Sequence, residues 1–395
     1  MAGGPPSVTD ERQVAMPTNP ATGHASRRFD WLVAGLGALL IGALYLDGWA
    51  HNRRIPDRPL LPGMPSPPPL APPEIPAALT VWHAPFHAAL AITCIVLAAP
   101  LLRQRDAASW QQTLGPAYSQ SLIGAVLCAA ATAAGALWPG TGIQTPGAAF
   151  RFESLTGMLG PAHILQAAGL LFVVTGPLRS AWVGGWSTQA GSWLPAALSI
   201  SFGLSVVTFV TQFAHPLTDP WPSIGFMRTG LQTYRYNRFF FGEAMGVLSI
   251  LLQATLLAAT AAWILRRRRP PFGTFTIAFG LNGLLMVALQ DRYPFLAVAA
   301  GAGLLTDSLA QKAAHPPRAS ELPLVTAAIP TVYCLLYFLV LSQLPAIDVL
   351  YGTGGGHPGA HLTGLGWSIH LSVGTTLLAA GAGWLAGTLA RHGLP

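Results

Sequence analysis

Ten runs of roughly 17 to 25 apolar residues alternate with polar breaks along the chain. They lie at about 30–50, 79–101, 117–138, 154–176, 190–213, 239–265, 271–290, 293–311, 321–344 and 364–390. A helix of about 20 apolar residues just crosses the hydrocarbon of a bilayer. The pattern therefore predicts an all-α, polytopic membrane bundle of about ten transmembrane helices, forming a single domain over 27–395. The seventh and eighth runs form a tight pair joined by Gln290, Asp291, Arg292 and Tyr293. Residues 1–26, rich in Pro, Gly, Ser and Thr without an apolar period, read as a disordered tail. The first run is longer than a signal-peptide core, so it is expected to stay in the protein.

Composition agrees. Only 9% of the 395 residues are charged and 52% are hydrophobic, with a mean hydropathy of +0.48. Soluble domains carry about 25% charge, so a soluble fold is excluded. The net charge of +7 comes from basic residues that stand singly or between apolar runs, which points to topology and not to nucleic acid. With an inner N-terminus, thirteen of the 21 Lys and Arg fall in inner segments, including the run Arg266 to Arg269. Both termini are then cytoplasmic, and the expected location is the cytoplasmic membrane of a bacterium. The outer connections are the elaborate ones: Pro-rich 52–77, aromatic 214–238 and Gly-rich 345–363. Cys94, Cys128 and Cys334 all lie within apolar runs, which excludes a disulfide framework or a Cys-x-x-Cys site. Phosphate loops, His-Glu-x-x-His helices and Gly-x-Ser-x-Gly elbows are missing.

The histidines carry the chemistry. Of eleven, only His24, His315 and His392 fall on the inner side; the other eight map to outer loops or outer halves of spans. Asp47 and His51 stand four apart at the outer end of span one, and His83 and His87 repeat that spacing at the outer start of span two. Four-residue spacing puts each pair on one helix face. Imidazoles with a carboxylate suit copper, iron or zinc. His163, Glu243 and His370 occupy similar depths in spans four, six and ten, as ligands to a second metal or to a cofactor. His215, His357 and His361 are further outer candidates. The bland alternative is polar glue between helices, although ionisable groups at membrane depth usually mark function. Asp307, toward the inner end of span eight, needs a partner, a proton or a water path.

Asp47-x3-His51 followed by Trp82-His83 resembles a pattern in uncharacterised multi-pass membrane proteins of high-GC bacteria, a group that implies no activity. Asp-x3-His is also similar to the copper motif in the C subunit of particulate methane and ammonia monooxygenases. That family has another His thirteen residues after its first, where this chain has Met64, and His83 is the nearest substitute. The likeness favours copper. The expected function is an integral membrane protein with an outer His/Asp transition-metal site for redox or metal-handling chemistry, as an oxidoreductase if it is an enzyme. A redox or metal-delivery partner outside the cytoplasm would serve it. Cation transport or metallochaperone work, and haem b held by His87 with His163 or His370, are the alternatives.

Overall fold

The computed structural model describes residues 20–54, 83–103, 110–137, 159–184, 192–218, 235–314, 318, 320–343 and 367–392. Side chains at several helix ends, that of His51 among them, fall outside the description. Among the described residues every regular element is helical: α1 (Pro20–Arg54), α2 (Ala84–Arg103), α3 (Trp110–Leu137), α4 (Pro161–Val174), α5 (Gly176–Gly184), α6 (Leu194–Val210), α7 (Arg235–Leu265), α8 (Thr274–Ala288), α9 (Leu296–Lys312), α10 (Glu321–Gln343) and α11 (Ile369–His392). Among the described residues eight segments are long and apolar enough to cross a membrane, with α4 and α5 counted as one; α6 and α8 are shorter apolar helices.

Two boundaries differ from expectation. α1 begins at Pro20, inside the stretch read as tail, because proline is well accommodated in a helix's first turn. The fourth helical segment starts at Pro161 and continues to Gly184, past the expected end at 176. It bends where Pro177 lacks the N–H that would bond Val173 O. The Ser121 hydroxyl donates to Phe172 O at 3.1 Å and Val173 O at 3.4 Å in its place.

The helices pack as two groups. α1 to α6 surround a core that includes Leu40, Ile41, Leu97, Leu170 and Val173, while α7 to α11 surround Phe275, Phe279, Phe295, Tyr333 and Tyr337. Lipid tails are as apolar as leucine, so membrane helices associate through close packing at small residues. α3 and α4 meet in this way: a Cβ on Gly169 would lie 2.6 Å from Gly124 O. α6 and α8 form the seam between the groups. There Tyr45 of α1 donates to Ser205 O at 2.9 Å and approaches Met286 Sδ at 3.2 Å, and the Asn282 amide donates to Thr208 Oγ1 at 2.7 Å. All four polar side chains, Tyr45, Ser205, Thr208 and Asn282, are buried.

Interhelix bonds place the chain's turns at two ends. Arg268 reaches Trp182 O and Arg269 reaches Gln311 O, so α5, α7 and α9 finish together. Gly48 of α1 lies against Phe209 and Leu289, which puts the finish of α1 beside those of α6 and α8. Below, these are called the arginine end and the Asp47 end.

Candidate functional site

α1 ends and α2 begins at the Asp47 end, and the two helices bring a carboxylate and an imidazole together. Asp47 Oδ1 stands 3.5 Å from His83 Nδ1, with side chains 13% and 17% exposed. His83 precedes the first residue of α2, and its carbonyl accepts the first bond of that helix from His87 N–H at 3.0 Å. The His87 ring therefore lies one turn along, with its centroid 6.2 Å from that of His83. His51 lies on α1 one turn past Asp47, where its side chain is beyond the description. Gly48 holds this end of α1 against α6 and α8: a Cβ there would meet the Phe209 ring at 2.7 Å.

The other expected ligands are dispersed. His163 in the first turn of α4 and His370 in the first turn of α11 are exposed, and Glu243 is half-buried on α7. α11 packs on α7 and α10, in the other half of the bundle from Asp47. Among the described residues no three His, Cys, Asp or Glu side chains form a group that could hold a metal ion. Cys94 directs its thiol to Ala125 O at 3.8 Å and serves as a core residue between α2 and α3. His357, His361 and the connections 55–82, 219–234 and 344–366 lie outside the described residues.

His215 has a clear place. It follows the short turn Gln212–Ala214 after α6 and is only 2% exposed. Its Nδ1 accepts from Leu217 N–H at 3.3 Å, which leaves the proton on Nε2. Nε2 faces the Gln253 side chain of α7 without a well-formed hydrogen bond. Burial pulls the imidazole down to about 3, so it is neutral at any physiological pH.

Two charged residues acquire roles that sequence pattern did not give them. Asp307 is 1% exposed and accepts from Phe275 N–H at 3.0 Å, Thr276 N–H at 2.8 Å and the Thr276 hydroxyl at 2.7 Å. It caps the start of α8 from α9, with its negative charge at the positive end of a helix. Arg179, expected in an inner loop, is a helical residue of α5. Its guanidinium donates to Ala117 O at 2.9 Å, Thr175 Oγ1 at 2.6 Å, Ser121 Oγ at 2.9 Å and Phe172 O at 2.7 Å. The Arg179 side chain thus ties the break between α4 and α5 to α3, while Ser121 takes Val173 O, the carbonyl that Pro177 leaves free. Beside it, Tyr118 donates to Asp30.

No protein family, curated protein or solved structure matches this chain. Function has to be argued from the site itself.

Proposed function

We propose that this is a multi-pass membrane protein that captures a transition-metal ion at its Asp47 end, copper in first place and iron or zinc in the same donor class. The observation that carries the reading is the interhelix approach of Asp47 Oδ1 and His83 Nδ1 at 3.5 Å. Ligand bonds of about 2.1 Å at tetrahedral angles set neighbouring donor atoms about 3.4 Å apart. The pair is thus spaced like one edge of a coordination shell before any movement. The His87 ring, 6.2 Å from that of His83, is the next donor along α2. A metal bound there would supply Lewis acidity or electron exchange, according to its identity.

The chain's own residues set the conditions. His83 and His87 ligate only as neutral imidazoles, so protons compete with the metal for them. The position at one end favours redox or metal-handling work over passage across the membrane. Beyond Tyr45 the buried face of α1 is Ile41, Leu40, Leu36 and Val33, with no polar group to continue a path. Haem is less well supported, because His163 and His370 are both exposed instead of facing His87 across the bundle interior.

A second reading makes Asp47 and His83 a proton-linked bridge that pins α2 to α1, and the lack of a converged third ligand among the described residues favours it. One experiment separates the two. Protein purified in detergent is loaded with copper, iron or zinc in turn, and elemental content and visible spectrum are recorded for wild type and for Asp47→Asn/His83→Ala. Stoichiometric metal that is lost in the variant supports capture. A Soret band selects haem, and absence of metal in the wild type overturns the metal reading in favour of the bridge.

A further inference from the structure

We infer that the arginine end of the bundle binds the phosphate headgroup of an anionic phospholipid, at the mouth of a narrow cleft between α7, α9 and α10. Four arginines, Arg266 to Arg269, follow α7 without interruption. Three of them reach neighbouring helix ends: Arg266 Nη1 donates to Ala390 O at 3.4 Å, Arg268 Nη2 to Trp182 O at 2.8 Å and Arg269 Nη2 to Gln311 O at 2.6 Å. These bonds fix where the guanidinium groups stand. They do not neutralise them, since a helix C-terminus offers only about half a negative charge and four full positive charges are gathered here.

No carboxylate among the described residues pairs with any of the four. The acids of α9 and α10 are already engaged: Asp307 caps α8, and Glu321 accepts from Ala314 and Arg318 N–H and lies 3.8 Å from Arg318 Nε. A guanidinium has five N–H donors, and each of these arginines spends few of them; Arg266 Nε is buried and bonds nothing. The spare donors suit an anion with several acceptor oxygens.

The surroundings say which anion. Arg268 and Arg269 stand at the mouth of a narrow cleft whose other walls include Leu265, Ala310, Leu322 and Val325. Cationic groups beside apolar helix ends match a phosphate joined to acyl chains, whereas a free inorganic anion gains nothing from apolar neighbours. Trp182 and Trp263 stack at 4.4 Å at the same end of the bundle, with Trp263 43% exposed, and Arg267 Cζ lies 6.0 Å over the Trp182 ring. Tryptophans of this kind sit at headgroup level, and basic pockets between membrane helices take anionic headgroups.

The test uses the full chain in nanodiscs of phosphatidylcholine alone or with phosphatidylglycerol, read by thermal melting, with lipid adducts counted by native mass spectrometry. The wild type should melt several degrees higher with phosphatidylglycerol, as mass action requires of a ligand of the folded state, and should retain it as an adduct. Arg268→Gln/Arg269→Gln should lose both effects. Ala314→Leu, which narrows the cleft and leaves every charge in place, should lose the adduct as well. An equal shift in both variants, equal retention of phosphatidylcholine, or a matching shift from inorganic phosphate alone would overturn the assignment. None of these readouts depends on the metal proposal.

Discussion

The two ends of the bundle satisfy their polar groups in opposite ways. At the arginine end, charged side chains meet backbone: Asp307 takes the free N–H groups of α8, Arg179 takes carbonyls at a bend, and Arg266, Arg268 and Arg269 take carbonyls near helix ends. At the Asp47 end, side chain meets side chain, in Asp47 with His83 and the His83 ring near that of His87. Backbone groups cannot leave once the helices are formed, so these bonds are structural, and only the arginines' spare donors are left to bind anything else. Side-chain pairs can open and accept something else, which is what a binding site requires.

Substitutions should separate the ends by effect. Asp307→Ala strips the α8 terminus of buried acceptors, and unfolding in detergent should show a loss of about 4 kcal/mol, with part of it recovered in Asp307→Asn. A loss below about 1 kcal/mol would mean that the cap is dispensable. Next comes acid. His215 is neutral in the fold at about 3 and titrates near 6.5 when unfolded, so the unfolded chain binds more protons between those values. Stability should therefore fall as pH drops below 6.5, by about 2–3 kcal/mol at pH 4.5. His215→Asn, which keeps an acceptor for Leu217 N–H, should flatten that slope, and an unchanged slope would remove His215 as its source.

Gly303→Ala should follow at about 2 kcal/mol, because its Cβ would stand 2.6 Å from Phe275 O, a backbone atom that cannot step aside. Asp47→Asn ranks last in stability, below about 1 kcal/mol for a part-exposed pair. The same change should nonetheless weaken metal retention more than any substitution at the arginine end. A large loss of stability with unaltered retention would reverse the contrast between the ends.

Much of the fold was legible in the chain, for a physical reason. Runs of about 20 apolar residues have few alternatives to a membrane helix, and each expected run coincides with helix here. Boundaries were harder, as Pro20 and Arg179 illustrate: proline at a helix start and an arginine reaching back to carbonyls both look like loop in composition. The i, i+4 pairs anticipated that Asp47 and His83 would approach each other from two helices, because that spacing fixes a face. They did not reveal which way the faces of α4 and α11 turn, so His163 and His370 emerged exposed. The burial of His215 left no trace in pattern, since it arises from a turn that folds back against Gln253.

The Asp307 cap has a further consequence, for how the chain enters a membrane. With 15 residues, α8 rises about 22 Å, less than the roughly 30 Å that a lone span must cover. Its two ends are tied to the same neighbour: Asp307 and Gln311 of α9 grip the start, and the turn through Asp291 joins the finish. α8 is thus suited to insertion as half of a hairpin, with α9 supplying the length and the counter-charge that it lacks. Biogenesis would then proceed at this point by pairs of helices instead of one at a time.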